Sequence, residues 1–572
     1  MSSTNQPIIE IKDVYYEYPG GGRPVLNGAN LTIHQGDFLA IIGGNGSGKS
    51  TICKTINGLI PHYFSGDYKG EVIVSGKPVS EQSVATLSHF IGYVYQDFQN
   101  QLMKLTVLED VSFAPLNFGY ANHQEKAIEA LELLGIRHLQ DKTIWELSGG
   151  EKHLVALAGV LALDPDVIIV DEPVAQLDPQ HATEIYDKLK YLNEHVGKTI
   201  ITIEHHTEFI ANYCKQVALI DNGQVVWHED VRKGLLNITK DEDSEIYPPQ
   251  VTQAALQIAS YHKIDELPIT VEEAKSYFQS YYFYPNQNQQ KTNLRPTSTE
   301  VLSINHIQHD VKMLNRERKT VLDIDELVFY EGNRVAIVGN NGAGKTTLMK
   351  SLAGIIKPRK GSITIEGINV LKTSVEKLSS HISYIYQNPE EMFIQDTIEN
   401  DMRYYGNVRK IKQEELYQQI TDALNMERLL PLDGRLLSGG QQRRSSVAIG
   451  LAMLPTVMML DEPTASLDIG NRKQLIQILH KIREKVKTVL IATHDMQLVA
   501  EWATRVIVME HGKVIFDGTP QRLFDDPSIW KPAGLKLPQI AELSLALNIP
   551  AALSVDDFVH RIGGVRVDGS YG

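Results

Sequence analysis

Two glycine-rich segments, each ending in a lysine and hydroxyl residues, hold the side chains best suited to phosphate chemistry. In order, they are Gly43, Gly44, Asn45, Gly46, Ser47, Gly48, Lys49, Ser50 and Thr51, and Gly339, Asn340, Asn341, Gly342, Ala343, Gly344, Lys345, Thr346 and Thr347. Such a loop turns backbone N–H groups toward phosphates, its lysine reaches the β and γ oxygens, and its first hydroxyl ligates Mg²⁺. The sequence therefore predicts two sites for a nucleotide and Mg²⁺, with Ser50 and Thr346 as metal ligands.

An acidic pair follows each loop at the end of a short apolar run. Asp171 and Glu172 follow residues 167–170, and Asp461 and Glu462 follow residues 457–460. We predict that the aspartates hold Mg²⁺ through a water and that the glutamates act as bases on the attacking water. The alternative is a solvated acidic turn after a strand, which the matching position behind two phosphate loops disfavours.

A third repeated motif opens a helical pattern in each half. It consists of Ser148, Gly149, Gly150 and Glu151 in the first half, and of Ser438, Gly439, Gly440 and Gln441 in the second. Small residues permit close backbone approach, and a helix N-terminus offers partial positive charge to an anion. By itself each motif could be an ordinary capped helix start.

The elements around these motifs predict an α/β fold in two copies. Continuous apolar runs precede the phosphate loops and the acidic pairs, as in buried parallel strands, and helical stretches such as 124–134 and 413–424 lie between them. A stretch rich in Asn, Gln, Pro and Thr separates the copies. We predict a first domain at 1–284, a linker at 285–299 and a second domain at 300–572.

Composition narrows the class of protein. Of 572 residues, 42% are hydrophobic and 22% charged, which is ordinary for a globular chain, and the net charge of -15 gives a nucleic-acid partner no general support. The two cysteines, Cys53 and Cys214, are too few for a disulfide framework and suit a reducing compartment. No apolar run is long enough to span a membrane, and the N-terminus does not resemble a signal peptide.

Together the motifs and their order resemble those of ATP-binding cassette ATPases, with two cassettes in tandem. The resemblance implies a P-loop NTPase fold with a helical signature subdomain in each half. It also implies that Gln96 and Gln387 belong to glutamine loops that sense Mg²⁺ and water, and that His205 and His494 are switch histidines contacting the γ-phosphate. His206, beside His205, is interpreted as non-catalytic.

Further family positions show an asymmetry between the halves. Ala175 to Asp178 and Ala465 to Asp468 match the loop that crosses the cassette interface, with Gln176 where serine is usual. Tyr18 matches the aromatic residue that stacks on adenine. The residue aligned with it in the second half is about Val311, which has no ring. We therefore expect weaker nucleotide binding at the second site.

Within that family, each ATP lies between the P-loop of one cassette and the signature of the other. The resemblance thus implies one site with the first P-loop and the motif at Ser438, and another with the second P-loop and the motif at Ser148. Both halves keep the glutamate and the histidine, so two hydrolytic sites are predicted, closed by ATP binding and released by hydrolysis.

Short C-terminal appendages repeat after each cassette, at residues 247–274 and 537–558, with Thr270 and Ser554 suited as helix N-caps. This pairing resembles the ATPases of energy-coupling-factor importers, which take up vitamins and transition metals. The resemblance implies integral membrane partners at the glutamine-loop grooves and a peripheral position on the cytoplasmic face. A ribosome-associated tandem cassette, a sugar-importer ATPase and an exporter ATPase are the alternatives, and no residue identifies the cargo.

Overall fold

A computed structural model describes residues 7–174, 177–240, 246–258, 266–284, 299–312, 318–465, 467, 469–482 and 486–565. The chain folds as two compact units, Met1–Tyr277 and Phe278–Gly572. Most of the predicted linker, residues 285–298, lies outside the described residues, as do Ala175, Gln176, Ser466 and Asp468 of the predicted interface loops.

The first unit is built on two sheets. Antiparallel strands form the smaller sheet, in the order Leu26–His34, Pro7–Glu17, Asp67–Val74 and Lys77–Pro78. The larger sheet has the order Gln224–Asp230, Gln216–Asp221, Phe38–Ile42, Thr199–Ile203, Val167–Asp171 and Ile91–Val94, and all its neighbours are parallel except the first pair. Its central strands are buried along their whole length, as their continuous apolar sequences predict.

Helices cover these sheets and form a separate helical region. They are Lys49–Ile56, Leu59–His62, Val84–Leu87, Val107–Val111, Phe113–Asn117, His123–Leu133, Gly149–Leu161, Pro179–Glu194, Thr207–Tyr213, Val231–Asn237, Gln250–Ile258 and Val271–Phe278. The helix predicted near residues 124–134 is therefore present at His123–Leu133.

The second unit repeats this architecture. Its antiparallel sheet has the order Arg318–Tyr330, Glu300–Lys312, Lys360–Ile365 and Ile368–Asn369. Its larger sheet has the order Ile382–Ile385, Val457–Asp461, Thr488–Ala492, Arg334–Val338, Arg505–Glu510 and Lys513–Gly518. The helices are Lys345–Leu352, Val375–Leu378, Ile398–Arg409, Glu414–Leu424, Gly439–Ala452, Ile469–Ile482, Met496–Trp502, Pro520–Asp525, Pro527–Trp530, Gln539–Ala546 and Val555–His560.

The appendage of the second unit takes in a strand from the segment that precedes this cassette in the chain. Strand Tyr281–Phe283 pairs antiparallel with strand Ile562–Val565, and the ring of Phe558 packs edge-on to Phe278 at 5.1 Å. The two predicted caps are present, since Thr270 Oγ1 accepts a hydrogen bond from Glu273 N and Ser554 Oγ accepts one from Asp557 N.

Sheet order is what assembles a site in each unit. The strands that precede the phosphate loop, the switch histidine, the acidic pair and the glutamine loop are four consecutive parallel neighbours. Because carboxyl ends of parallel strands meet at one edge of a sheet, all four motifs leave the sheet on the same side. The confirmed fold is thus α/β, with a phosphate loop at the sheet edge of both units.

Candidate nucleotide site

The first phosphate loop has the backbone geometry that its glycines were predicted to supply. Gly43, Gly46 and Gly48 have φ angles of 156°, 78° and 110°, and a Cβ on Gly43 would lie 2.2 Å from the Ile220 carbonyl oxygen. A side chain there would force the loop off the sheet. Lys49 opens the following helix, and its Nζ donates to the Gly43 and Gly44 carbonyls at 3.0 and 2.9 Å.

Asp171 lies in the position expected of a metal ligand. Its Oδ2 accepts a hydrogen bond from the Tyr93 hydroxyl at 3.0 Å, whereas its Oδ1 is buried without a partner of normal geometry among the described residues. Burial is the main cause that raises the Asp171 pKa, and the adjacent Glu172 adds to it. Tyr93, Ser50 and Lys49 act in the opposite direction, so the carboxylate is surrounded by donors.

Glu172 joins the glutamine loop to the switch histidine. Gln96 Nε2 donates to one carboxylate oxygen at 2.6 Å, and His205 Nε2 lies 3.1 Å from the other. Its backbone has a φ of 49°, a left-handed conformation that is unusual for glutamate. Glu172 therefore contacts both of the other residues predicted to be catalytic in the first half.

The second unit brings its predicted residues together with different contacts. Glu462 has a φ of 43°, and its carboxylate lies 3.6 Å from Lys345 Nζ and 3.0 Å from His494 Nδ1. Burial would raise the Glu462 pKa, but His494 and Lys345 lower it. For the half-buried His494, desolvation lowers the pKa, and the contact with Glu462 outweighs it and raises the pKa. Thr346 Oγ1 donates to Asp461 at 3.2 Å.

Gln387 of the second unit has contacts different from those of Gln96 in the first. It is exposed, and its backbone carbonyl accepts a hydrogen bond from the buried Arg443 at 2.6 Å, together with the Tyr386 carbonyl at 2.9 Å. The glutamine loop of the second unit is thus attached to the signature helix by an arginine. The first unit has His153 at this position, and its ring stacks on Phe98 at 4.5 Å.

Both phosphate loops fit ATP with Mg²⁺. Ser47 Oγ is buried without a partner among the described residues, and Asp171 Oδ1, beside Ser50, has no partner of normal hydrogen-bond geometry among them. The loop N–H groups and Lys49 supply hydrogen-bond donors for phosphate oxygens. The side-chain oxygens supply ligands of the kind that a hard divalent cation requires. Ser50 and Asp171 would hold the metal in one unit, and Thr346 and Asp461 in the other, where it would neutralise charge on the phosphates.

The signature motifs are helix starts of a specific kind. Ser148 and Glu151 exchange side-chain and backbone hydrogen bonds in a capping box, as do Ser438 and Gln441. The second glycine of each motif is fixed by packing, because a Cβ on Gly150 would lie 2.2 Å from His181 and one on Gly440 2.2 Å from Asn471.

The first glycine of each motif has no such constraint inside its own unit. A Cβ on Gly149 would have its nearest contact, Leu177, at 4.0 Å, and one on Gly439 would have no neighbour within 4 Å. The Ser-Gly edge of each helix start is therefore accessible to a ligand, which leaves open the composite arrangement that the family resemblance implies.

The predicted asymmetry at the base position has a structural basis. Tyr16 pairs with Leu26 and His309 with Leu322, and both leucines lie against the last loop glycine, so Tyr18 and Val311 occupy equivalent places. The Tyr18 hydroxyl is 3.5 Å from Thr51 Oγ1, while Val311 is 44% exposed.

Two tyrosines that sequence reasoning did not single out belong to the site. Tyr93 and Tyr384 occupy matching positions on the strands before the glutamine loops, and Tyr384 donates to Asp461 at 2.7 Å as Tyr93 does to Asp171. Because a tyrosine recurs at this position in both halves, the sequence repeat could have identified them.

Comparisons with known proteins agree with this geometry. The family model described as "ABC transporter" matches residues 26–175 and 322–465. A protein of Caldanaerobacter subterraneus named as an ABC transporter ATP-binding protein is 32% identical over 98% of this chain and 99% of its own length. Another of that name, from Enterococcus faecalis, is 30% identical over 95% of this chain and 96% of its own.

A structural comparison extends over both units. A structure titled as a model of ribosome-bound archaeal Pelota and ABCE1 is 19% identical, with a TM-score of 0.59 over 91% of this chain and 81% of that one. At that identity the likeness shows the fold alone.

The chain belongs to the ATP-binding cassette transporter family and is a tandem cassette ATPase. Among the described residues, no helix combines the length and apolar character needed to cross a bilayer.

Proposed function

We propose that this chain is the ATP-hydrolysing subunit of a membrane importer of the energy-coupling-factor type, which takes up a vitamin or a transition metal. Binding of ATP would close the two cassettes, and hydrolysis would release them. In this proposal the protein is peripheral, on the cytoplasmic face, and integral membrane subunits dock at the glutamine-loop grooves.

Exposed apolar side chains beside both glutamine loops are the observation that carries the proposal. In the first unit Met103, Leu105 and Trp145 are 64%, 59% and 77% exposed, and Leu105 O accepts a backbone hydrogen bond from Ile144 N, so they are close neighbours. Grouped exposed apolar residues mark interaction sites more often than chance surface.

The second unit also exposes apolar residues in this region, of which Ile394 stands at the position aligned with Met103. Ile394 is 66% exposed and Leu436 85% exposed. In each unit an aspartate holds the turn that presents the first residue, because Asp110 accepts the N–H groups of Met103 and Lys104, and Asp401 those of Ile394 and Gln395. A turn built twice in this way favours a docking role over chance exposure.

Purification from solubilised membranes tests the partner class. The wild-type chain should recover integral membrane proteins, and the double variant Leu105→Asp, Trp145→Asp should lose them. Val226→Asp, which charges another exposed apolar position at 56% exposure, is the matched control and should retain them. Recovery of ribosomes, or of membrane proteins equally by all three chains, would contradict the proposal.

Turnover measurements test the two sites. Glu172→Gln and Glu462→Gln should each reduce ATP hydrolysis substantially, because each removes the base of one site while keeping the side-chain volume. A single variant with unchanged turnover would show that its site contributes nothing.

Paired substitutions test the composite arrangement. If the first P-loop works with the second signature, Lys49→Ala and Ser438→Arg damage the same site and their effects on turnover should not add. Lys49→Ala and Ser148→Arg damage different sites, so their combination should be more severe than either. The reverse pattern would place each ATP within one cassette.

A further inference from the structure

The residue before the switch histidine of the first unit is a buried glutamate that the site described above does not use. Glu204 is 2% exposed. Its Oε1 accepts the backbone N–H of His205 at 2.8 Å and of His206 at 2.9 Å, and lies 2.8 Å from His206 Nδ1. Its Oε2 accepts the Tyr186 hydroxyl at 2.6 Å. One carboxylate therefore holds the backbone on both sides of the switch imidazole.

The other end of this contact is anchored in the core. Tyr186 lies on helix Pro179–Glu194, is fully buried, and stacks on Phe209 at 4.8 Å and on Phe38 at 6.5 Å. Burial would raise the Glu204 pKa, but His206 and Tyr186 lower it below the ordinary value, which favours the carboxylate form. Charge-assisted bonds from backbone N–H groups to a carboxylate are short and strong.

The second unit restrains its switch loop by different chemistry at the same place. The residue before His494 is Thr493, whose Oγ1 accepts the N–H of Asp495 at 3.0 Å. Asp495 caps helix Met496–Trp502 and lies 3.5 Å from Arg472 of helix Ile469–Ile482. The acid therefore follows the histidine, and its partner is on the neighbouring helix.

In each unit the switch loop is connected to the corresponding helix, Pro179–Glu194 or Ile469–Ile482, but through residues at different aligned positions. Aligning the interface loops places Arg472 opposite Ala182 and Ile476 opposite Tyr186. Two independent solutions in one chain indicate that fixing this loop matters to the site beyond local folding.

We propose that Glu204 is a positioning residue for hydrolysis at the first site, holding the His205 backbone so that its imidazole meets Glu172 and the γ-phosphate. The inference rests on the hydrolytic function proposed above. It assigns to Glu204 no contact with nucleotide or water. Its effect is transmitted through His205 alone.

Steady-state hydrolysis by full-length variants tests this. Glu204→Leu removes both acceptors and should lower kcat by the same factor as His205→Ala, within about twofold, with KM for ATP changed less than about twofold because the phosphate loop is untouched. Glu204→Gln keeps an acceptor for the two N–H groups and should retain more than half of the wild-type kcat. Equal losses in the Leu and Gln variants would overturn the proposal.

A double-mutant cycle separates positioning from general structural support. If Glu204 acts through His205, the Glu204→Leu, His205→Ala chain should be no slower than His205→Ala. A further loss of more than about threefold would show that Glu204 supports folding or another residue. An unaffected His205→Ala chain would instead contradict the catalytic assignment of His205, a failure of the proposed function and not of the restraint.

If Glu204→Leu does not fold, a variant that replaces the Glu204 contacts by those of the second unit tests the same proposal. The triple variant Ala182→Arg, Glu204→Thr, His206→Asp writes the second unit's arrangement into the first and should recover at least half of the wild-type kcat. Glu204→Thr alone, which lacks the arginine and the aspartate, should not. Equal activity of the two chains would overturn the proposal.

Discussion

A buried histidine without hydrogen-bond partners should make the first unit sensitive to mild acid. His153 is 2% exposed, and neither ring nitrogen has a partner among the described residues. Burial lowers its pKa from 6.5 to about 4. Between these values the unfolded chain binds a proton that the folded chain does not, so stability falls as the pH is lowered from about 7 toward 4.

The size of the effect follows from the shift. One pKa unit corresponds to about 1.4 kcal/mol, so the full shift amounts to roughly 3 kcal/mol, of which about 2 kcal/mol is lost by pH 5. His153→Phe keeps a ring against Phe98 and removes the titration. The variant should therefore lose about 2 kcal/mol less than the wild type between pH 7 and pH 5.

Urea unfolding of the full chain measures this difference. The chain has four tryptophans, and replacing Trp502 and Trp530 by Phe leaves fluorescence to Trp145 and Trp227 of the first unit. With a slope near 3 kcal/mol per molar urea, the midpoint difference should be about 0.7 M. His138→Phe, at an exposed position, is the control and should behave as the wild type. Equal acid sensitivity of His153→Phe and wild type would refute the reasoning.

Two further predictions concern the signature glycines and the difference in nucleotide affinity between the two sites. Gly150→Ala should destabilise the first unit in thermal unfolding, since its Cβ would meet the His181 ring at 2.2 Å, whereas Gly149→Ala should unfold as the wild type does. Nucleotide affinity should be lower in Lys49→Ala, where only the second site keeps its lysine, than in Lys345→Ala. Loss of a base-stacking ring is worth about 1 to 3 kcal/mol, a factor of roughly 5 to 150, and equal affinities in equilibrium titration would contradict the asymmetry.

Sequence spacing was sufficient to predict the tandem α/β fold, because phosphate loops and acidic pairs need fixed places at the ends of buried strands. Spacing also grouped Lys49, Asp171 and Glu172, and the family resemblance added His205. The four parallel strands bring these residues to one edge. Which atoms meet could not be predicted. His205 approaches its glutamate through Nε2, while His494 does so through Nδ1, and that choice depends on loop geometry.

The residues missed by sequence reasoning act from a distance along the chain. Tyr93 reaches Asp171 from the next strand, and Glu204 reaches Tyr186 on a separate helix. Neither contact belongs to a local motif. A tyrosine in an apolar strand is ordinarily read as core, so its hydroxyl bond becomes visible only when strand order is known.

At the two glutamates predicted to be catalytic bases, the left-handed backbone makes different residues optimal for stability and for turnover. A non-glycine residue in that conformation costs roughly 1 to 2 kcal/mol that glycine would not incur. Glycine at position 172 would therefore relax the fold while abolishing the base. Selection for stability and selection for hydrolysis therefore favour different residues at this position, so a thermostable variant with glycine there should have an inactive first site.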